Sequence, residues 1–383
     1  MNKITIGGLS PLSGPYSISG ERQKIAMEMA VDHAIEAGDT TAEVELLMAD
    51  TESTPSAAQA NAQQHLDDGA DFIAGNISSA VAMALGELAQ RRDVIFMGGA
   101  GDLTITSEKC MSNTFILSDG AVQQTNAALG HALRNDMGSS VFEITVDYSW
   151  GESIRGYNKE TLIPEHNAEY AGNVFTPLGT SDFSQSLTEA KESGADIINI
   201  TQYGGDQIRA LSQADEFGLM DGDTIITVPS TTVAFAQQVG MDTFSYENLY
   251  GGVAYSWKLD TPENNSFVSD FKERSGGKIP LSYTPAYYCG LRMMLRTIEE
   301  TGSTDSATLR GELEGKSIYP QIWNQGERIR ECDHRATAPT MTIQGLPPAE
   351  ADVENGDIFD IVSVPEQLEQ YMRPCEETGC TMS

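Results

Sequence analysis

Short apolar runs of strand length alternate with helical stretches through the first 250 residues of this 383-residue chain. Ile4–Leu9 reads as a strand. Ser19–Ala37 reads as a helix, with Ile25, Met29 and Ile35 on or near one face. Val44–Met48 is a strand, and Pro55–Leu66 a helix opened by proline. Phe72–Ala74 and Val94–Met97 are short buried strands. A second series starts at Ser140–Val146 and continues through helix Gly151–Leu162, strand Ala171–Phe175 and helix Asp182–Ser193. Strand Asp196–Ile200, helix Gly205–Phe217, strand Thr224–Val228 and helix Val233–Gln238 complete it. A parallel sheet needs crossover helices, and each gap has room for one. Two runs of a βα repeat predict an α/β chain with two doubly wound parallel-sheet lobes.

The region after 250 starts no third lobe. Strand Gly251–Tyr255, helices Pro262–Ser275 and Thr284–Thr301, and late strands Gln325–Arg330 and Pro339–Ile343 read as additions to existing sheets. Pro347–Gly356 reads as an acidic surface loop and Val364–Ser383 as a short cysteine-bearing tail.

The charge balance, 56 acidic against 23 basic residues for a net −33, excludes nucleic acid as a partner. Only nine of the basic residues are lysine, which fits a salt-adapted, halophilic acidic surface. At about 1 M salt the Debye length is about 3 Å, so such self-repulsion is tolerable. No apolar run reaches the length of about 18 residues that a membrane span needs. Met1-Asn-Lys leads straight into Ile4-Thr-Ile, without the basic and apolar regions of a signal peptide. That leaves a cytoplasmic protein or a mature form with a replacement methionine.

The stretch from Asp71 to Ala89 carries most of the functional information. Phe72-Ile-Ala ends at Gly75, and Ser78 and Ser79 open a helical pattern with Val81, Leu85 and Leu88 on one side. Free N–H groups and serine hydroxyls at a helix start form an anion site. At the carboxyl end of a parallel strand, that is where open α/β sheets bind ligands. A plain N-cap has the same pattern.

Catalysis and metal binding find no comparable support. His33 and His65 fall on surface-like helices, His131 and His166 near helix ends, and Asp333-His334 reads as a structural pair. None of the cysteines forms a CxxC pair. Cys289 lies in an apolar helix as a buried thiol. Cys110, Cys332, Cys375 and Cys380 lie in loop-like or terminal stretches, fit for two disulfides in an oxidising compartment and incidental in a reducing one.

Several motifs occur in a fixed order. They are the opening Ile4-Thr-Ile-Gly-Gly-Leu-Ser-Pro-Leu-Ser-Gly-Pro-Tyr-Ser-Ile-Ser-Gly20, Asp50-Thr51, Ile73-Ala-Gly-Asn-Ile-Ser-Ser79 and Asp147-Tyr-Ser-Trp-Gly151. Gly179-Thr-Ser-Asp-Phe-Ser184, Ser193-Gly-Ala-Asp-Ile197 and Phe217-Gly-Leu219 follow. Over residues 1 to about 345 the chain resembles the type I periplasmic solute-binding proteins. These are the leucine/isoleucine/valine-binding class that serves ABC importers. Arg328-Ile-Arg-Glu-Cys-Asp-His334 and Thr378-Gly-Cys380 resemble a subfamily that includes binders of aromatic carboxylates.

The resemblance implies two lobes joined by a three-strand hinge that close on a small ligand, with crossovers near 120, 250 and 330. Lobe 1 is then 1–120 with 250–328, lobe 2 is 121–249 with 329–363, and 364–383 is a tail. It implies ligand contacts at Ile77, Ser79, Gly99 and Ala100, with Ser78 adjacent and Tyr16 covering the pocket. From the second lobe it implies Trp150 and Tyr203, with Tyr148 beside them, and Thr231.

The chain departs from the amino-acid binders in two places. Gly101 replaces a threonine that helps hold a ligand ammonium, and the acidic partner of that ammonium falls near Ser230 and Thr231, which carry no charge. Asp102 is either a substitute carboxylate or a turn cap before Leu103. The subfamily resemblance implies a Cys110–Cys380 bridge, which leaves Cys332 with Cys375.

The expected function is an extracytoplasmic solute-binding protein for an amino acid or a small aromatic or organic acid. Its partners would be the ligand and an importer permease, with no cofactor, no metal and no catalytic residue. The membrane is reached only through the transporter or a lipid anchor outside this sequence. The place is the periplasm or the outer face of the membrane. The alternative is a small-molecule sensor on the same fold, responsive to amides or amino acids; an enzyme is a third, weaker reading.

Overall fold

The computed structural model describes residues 2–220, 222–231, 246–347, 349–352 and 357–381. The expected helix Val233–Gln238 and part of the acidic loop Pro347–Gly356 lie outside these residues. The chain forms two compact units. Met1–Asp119, Tyr255–Ala338 and Arg373–Ser383 make the first, and Gly120–Ala254 and Pro339–Met372 the second.

This division differs from the sequence-based one at Gly120, which opens the second unit, and in three longer stretches. Residues 250–254 group with the second unit, because their strand pairs with strands of that unit's sheet. Residues 329–338 group with the first unit, and the tail divides between Met372 and Arg373.

The first unit holds β1 (Lys3–Ser10), β2 (Glu43–Asp50), β3 (Phe72–Gly75), β4 (Phe96–Gly98) and β5 (Thr114–Ile116). All pair in parallel, in the order β2-β1-β3-β4-β5. Helices Ser17–Ala37, Pro262–Ser275 and Thr284–Thr301 share one apolar cluster, with Phe267, Phe271, Tyr287 and Met293 fully or nearly fully buried. Leu9, Ile73, Val81, Leu85 and Phe96 fill a second cluster with helices Pro55–Asp67 and Ser79–Arg92. Each such large side chain contributes about 1.5–3 kcal/mol on burial.

The second unit holds β6 (Ser140–Val146), β7 (Glu169–Thr176), β8 (Ile197–Thr201), β9 (Ile225–Val228), β10 (Leu249–Val253), β11 (Met341–Gly345) and β12 (Phe359–Ser363). Their order is β12-β11-β10-β9-β8-β6-β7. The strands from β6 to β10 pair in parallel, and β11 is antiparallel to both its neighbours. In each unit the first strand lies between the second and third, as β2-β1-β3 and β7-β6-β8. Strand order therefore reverses at β1/β3 and at β6/β8, where a crevice opens at the carboxyl ends.

Expectation and structure part at several elements. Gln325–Arg330 is not a strand: it makes only the isolated bridges Ser317↔Arg328 and Ile329↔Ala336. Asn324 and Gly326 take positive φ just there (54° and 82°), which cuts the extended run short. β5, at three residues, is too short to leave a periodic signal. Helices Ala121–Ala127, Leu129–Arg134 and Ser306–Leu313 and strand β12 were not anticipated either. The helix expected over 151–162 starts at Ser149 and becomes a π-turn at Asn158–Leu162.

That π-turn brings Asn158 into a buried polar network. Asn158 Nδ2 and Asn199 Nδ2 donate to Glu143 Oε1 at 2.6 and 3.0 Å, and Thr125 Oγ1 donates to Asn158 Oδ1 at 2.7 Å. Glu143 is fully buried, Oε2 has no hydrogen-bond partner among the described residues, and burial pushes the carboxyl above its usual range.

Both disulfides lie in the first unit: Cys110 is bonded to Cys380 and Cys332 to Cys375. Cys289 is a buried free thiol. No described helix is long and apolar enough to cross a membrane.

Candidate functional site

In the first unit the expected contacts gather at the carboxyl ends of β1, β3 and β4. Gly75 ends β3 with φ 116°, and a Cβ there would sit 1.9 Å from Leu9 O, so only glycine lets β1 and β3 approach. Asn76 follows with φ 80° and pins the loop. Its Nδ2 donates to Ser78 O at 2.8 Å and Gly99 O at 3.3 Å, and its Oδ1 accepts from Ser78 N at 3.0 Å. The residues after β3 are thereby tied to those after β4.

Helix Ser79–Arg92 starts without a side-chain cap. Helices opening at Pro55, Pro262 and Ser306 are each capped, by Thr54, Thr261 and Asp305. Ser78, at the N-cap position, therefore does not play the plain capping role, and Ser79 Oγ instead accepts from Asp102 N at 3.2 Å. Ile77 precedes them, buried, and Tyr16 lies buried between β1 and helix Ser17–Ala37. Asp102 does form the turn cap: Oδ1 accepts from Thr104 N at 2.9 Å.

The loop after β4 hangs on Arg335, which sequence reasoning missed. Arg335 Nη1 donates to Ala100 O at 2.8 Å and Ser118 O at 3.0 Å, and Nη2 to Asp102 O at 3.1 Å. Its neighbour His334 stacks on Phe115 with centroids 4.3 Å apart and meets Glu314 Oε1 at 3.0 Å, in keeping with a structural role. Nothing in the local pattern around Asp333-His334 marks a residue that reaches back over two hundred positions.

In the second unit the aromatic residues gather at the ends of β6 and β8. Tyr148 precedes helix Ser149–Tyr157 in extended backbone, and Trp150 sits in its first turn. A Cβ on Gly151 would lie 2.1 Å from Val146 O, so glycine lets this helix start against the strand end. Trp150 Nε1 donates to Gln124 Oε1 at 2.7 Å. Its ring centroid lies 6.0 Å from that of Tyr148 and 6.5 Å from that of Tyr203, the latter edge-on at 78°. This geometry favours aromatic contact.

Tyr203 and Gly204 lead into helix Gly205–Glu216, which also lacks a side-chain cap. Gln207 ties the next loop: Nε2 donates to Gln202 O at 2.8 Å and Ser230 O at 2.6 Å, while Oε1 accepts from Thr231 Oγ1 at 2.8 Å. Gln124 and Gln207 were not anticipated, although Gln207 stands in the first turn after Gly204-Gly205. Asp206, beside it, accepts from Gly179 N at 2.7 Å and pairs with Arg209, and burial raises its carboxyl.

His65, expected on a surface, is buried, and His33 is half-buried with Nδ1 2.9 Å from Tyr288 Oη. Among the described residues no cluster of three or more His, Cys, Asp or Glu is placed to hold a metal.

Comparison with known proteins bears on this arrangement. A family model described as periplasmic binding protein matches residues 3–347. Leu/Ile/Val-binding protein homolog 3 of Brucella melitensis is 24% identical over 330 residues, covering 83% of this chain and 85% of that protein. An amino acid ABC transporter substrate-binding protein from Pseudomonas fluorescens superposes with a TM-score of 0.87 at 25% identity, over 100% of this chain and 99% of that one. A solute-binding protein of an ABC transporter from R. palustris, solved with 4-hydroxybenzoate, superposes with a TM-score of 0.84 at 21% identity, over 96% and 98%. With nine-tenths of its length matched by the family model, the chain belongs to the periplasmic binding proteins.

Proposed function

We propose that this chain is the extracytoplasmic solute-binding component of an ABC importer. It captures a small carboxylate-bearing solute, without catalysis, and presents it to a membrane permease. The observation that carries this reading is the chemistry at two equivalent strand reversals. Hydroxyl and amide donors follow β3 and β4, and aromatic faces follow β6 and β8. Ser79 and the first-turn N–H groups of its helix take the carboxylate. Ile77, Ser78, Gly99 and Ala100 shape that end, and Tyr16 covers it. Tyr148, Trp150 and Tyr203 take the body of the ligand.

An aromatic or other small organic acid fits better than an amino acid. An ammonium group needs a carboxylate; Thr231 carries none and spends its hydroxyl on Gln207, and Asp102, the one carboxylate in this set, gives Oδ1 to the Thr104 amide as a turn cap. The relatives named for leucine, isoleucine and valine and the neighbour solved with 4-hydroxybenzoate span the same ligand range. Two disulfides favour an oxidising compartment, the periplasm or the outer face of the membrane.

A thermal-shift screen over aromatic acids, amino acids and short amides tests the reading. A ligand at about 100 times its Kd stabilises by about 2.7 kcal/mol. Benzoate-type acids are expected to raise the midpoint most and amino acids less. Shifts with amides alone would move the assignment to a sensor, and no shift with any acid would overturn it.

A further inference from the structure

The chain passes between its two units four times, at Asp119/Gly120, Ala254/Tyr255, Ala338/Pro339 and Met372/Arg373. The first three answer to the crossovers that the family resemblance implies. The fourth lies in the tail after β12, and it is held on both sides.

On the side of the second unit, Tyr371 docks on Arg134. Its Oη accepts from Arg134 Nη2 at 3.1 Å, and Arg134 Cζ lies 4.9 Å from its ring centroid. The guanidinium is itself fixed: Nη2 also donates to Asn126 O at 2.7 Å, and Nη1 to Asn126 Oδ1 at 3.3 Å. On the side of the first unit, Arg330 Nη1 donates to Arg373 O at 2.9 Å. Arg330 is buried, and its Nε donates to Asp333 Oδ1 at 3.0 Å. Cys375 and Cys380 then bond to Cys332 and Cys110.

The two bridges hold a segment that buries little of itself. Among residues 373–381 only Thr378 is buried. Such ties fix the tail against a pull along the chain from its other end, which is the second unit. Each bridge also closes a loop through that unit. The residues between Cys332 and Cys375 include β11 and β12, and those between Cys110 and Cys380 include all of it.

The length of the fourth link depends on Tyr371. With Tyr371 docked, the held points are Tyr371 and Arg373, and two residues span at most about 7 Å. The backbone bonds just before this point stay within the tail, from Gln370 N to Gln367 O and from Met372 N to Glu369 O, both at 3.0 Å. With Tyr371 released, the link can draw on chain back to Ser363 at the end of β12, and those ten residues reach up to about 35 Å. Tyr371 is only half-buried and Arg134 exposed, so the docking contact is weak enough to form and break.

We propose that the tail is a fourth link between the units, adjustable in length, with Tyr371 on Arg134 as the clasp that shortens it. Clasped, it restricts the motion of one unit against the other; released, it leaves that motion to the other three crossings. On the function proposed above, the clasp narrows the search for the closed form. The test is made without ligand, so its outcome does not depend on that function. Nitroxide labels on Glu36→Cys in the first unit and Glu192→Cys in the second, both exposed positions, report the distance between the units by double electron–electron resonance on the full chain. Tyr371→Ala should broaden the distribution and add longer distances. Replacing all four bonded cysteines by serine should broaden it at least as much. An unchanged melting midpoint checks that Tyr371→Ala folds; if it does not, Arg134→Ala removes the same contact from an exposed side chain. A distribution unchanged by loss of the clasp overturns the proposal, even where the serine variant broadens. So does a parent distribution already as broad as that of the serine variant.

Discussion

The two units repeat one strand order and fix its loops by different chemistry. In the first, the Asn76 amide ties the loops after β3 and β4, but a single buried guanidinium, Arg335, holds the carbonyls of Ala100, Asp102 and Ser118, and two disulfides lie in the same unit. In the second, neutral amides do the corresponding work. Gln124 holds Trp150, Gln207 holds the loops after β8 and β9, and Asn158 and Asn199 hold Glu143. Arginine offers five donors in a rigid fork, so one side chain can collect several carbonyls. An amide offers two donors and one acceptor, so several are needed. An indole N–H such as that of Trp150 needs an acceptor, which an amide has and a guanidinium lacks.

The largest expected difference lies in the covalent tethers. Removing either disulfide should cost the first unit about 2–5 kcal/mol and leave the second unchanged. Hydrogen exchange resolved by segment, with and without reductant, measures both. Equal losses in the two units would dissolve the contrast. Next comes Arg335→Met, which takes the shared guanidinium from three buried carbonyls, of which Ala100 O keeps the Ser118 hydroxyl, and should destabilise the first unit by about 3 kcal/mol. Exchange should accelerate in residues 99–106, and a denaturation midpoint close to that of the wild type would show that the loop holds itself.

The second unit should respond to pH through Glu143, whose carboxyl burial pushes above its ordinary value, as burial does for Glu327 in the first unit. Below the unfolded chain's carboxyl pKa both states are protonated. As pH rises from there, the unfolded chain releases a proton that the folded one keeps. Stability of the second unit therefore falls, by up to about 1.4 kcal/mol per pH unit, and levels off above the folded pKa. Glu143→Gln keeps an acceptor for Asn158 and Asn199 and removes this linkage, so its profile should fall less steeply, with only the raised carboxyl of Asp206 left to contribute among the described ones. Identical slopes in the two proteins would mean that Glu143 is charged in the fold.

The repeat of apolar runs and amphipathic stretches made the α/β architecture legible, because a buried parallel strand and its crossover helix each leave a local periodic mark. The strand ends were legible for the same reason: Ser79 and Trp150 follow directly on recognisable strands. What stayed hidden acts over long range or leaves no period. Arg335 reaches carbonyls more than two hundred residues away, β5 has three residues, and Gln124 lies in a helix that was not anticipated. The strand expected over 325–330 failed because two positive-φ positions outweigh a short extended run. Asp102, left open between a ligand carboxylate and a turn cap, makes the turn-cap hydrogen bond.

The smallest expected effect concerns a single hydroxyl and asks whether the first unit's donors serve the ligand or only the loop. Ser79 Oγ accepts from Asp102 N at 3.2 Å, which leaves its own proton for donation. Ser79→Ala removes that donor and should weaken binding of a carboxylate ligand by about 1 kcal/mol. It also leaves the buried Asp102 N–H without its acceptor, so some stability is lost with it. Ser79→Thr separates the two, because it keeps the hydroxyl and should recover most of the affinity. The loss in Ser79→Ala should also be larger for an acid than for its methyl ester, which offers no charge to the donor. Calorimetry that found Ser79→Ala less stable but equally tight for the acid would confine Ser79 to holding the Asp102 loop. The carboxylate would then depend on the helix N–H groups alone.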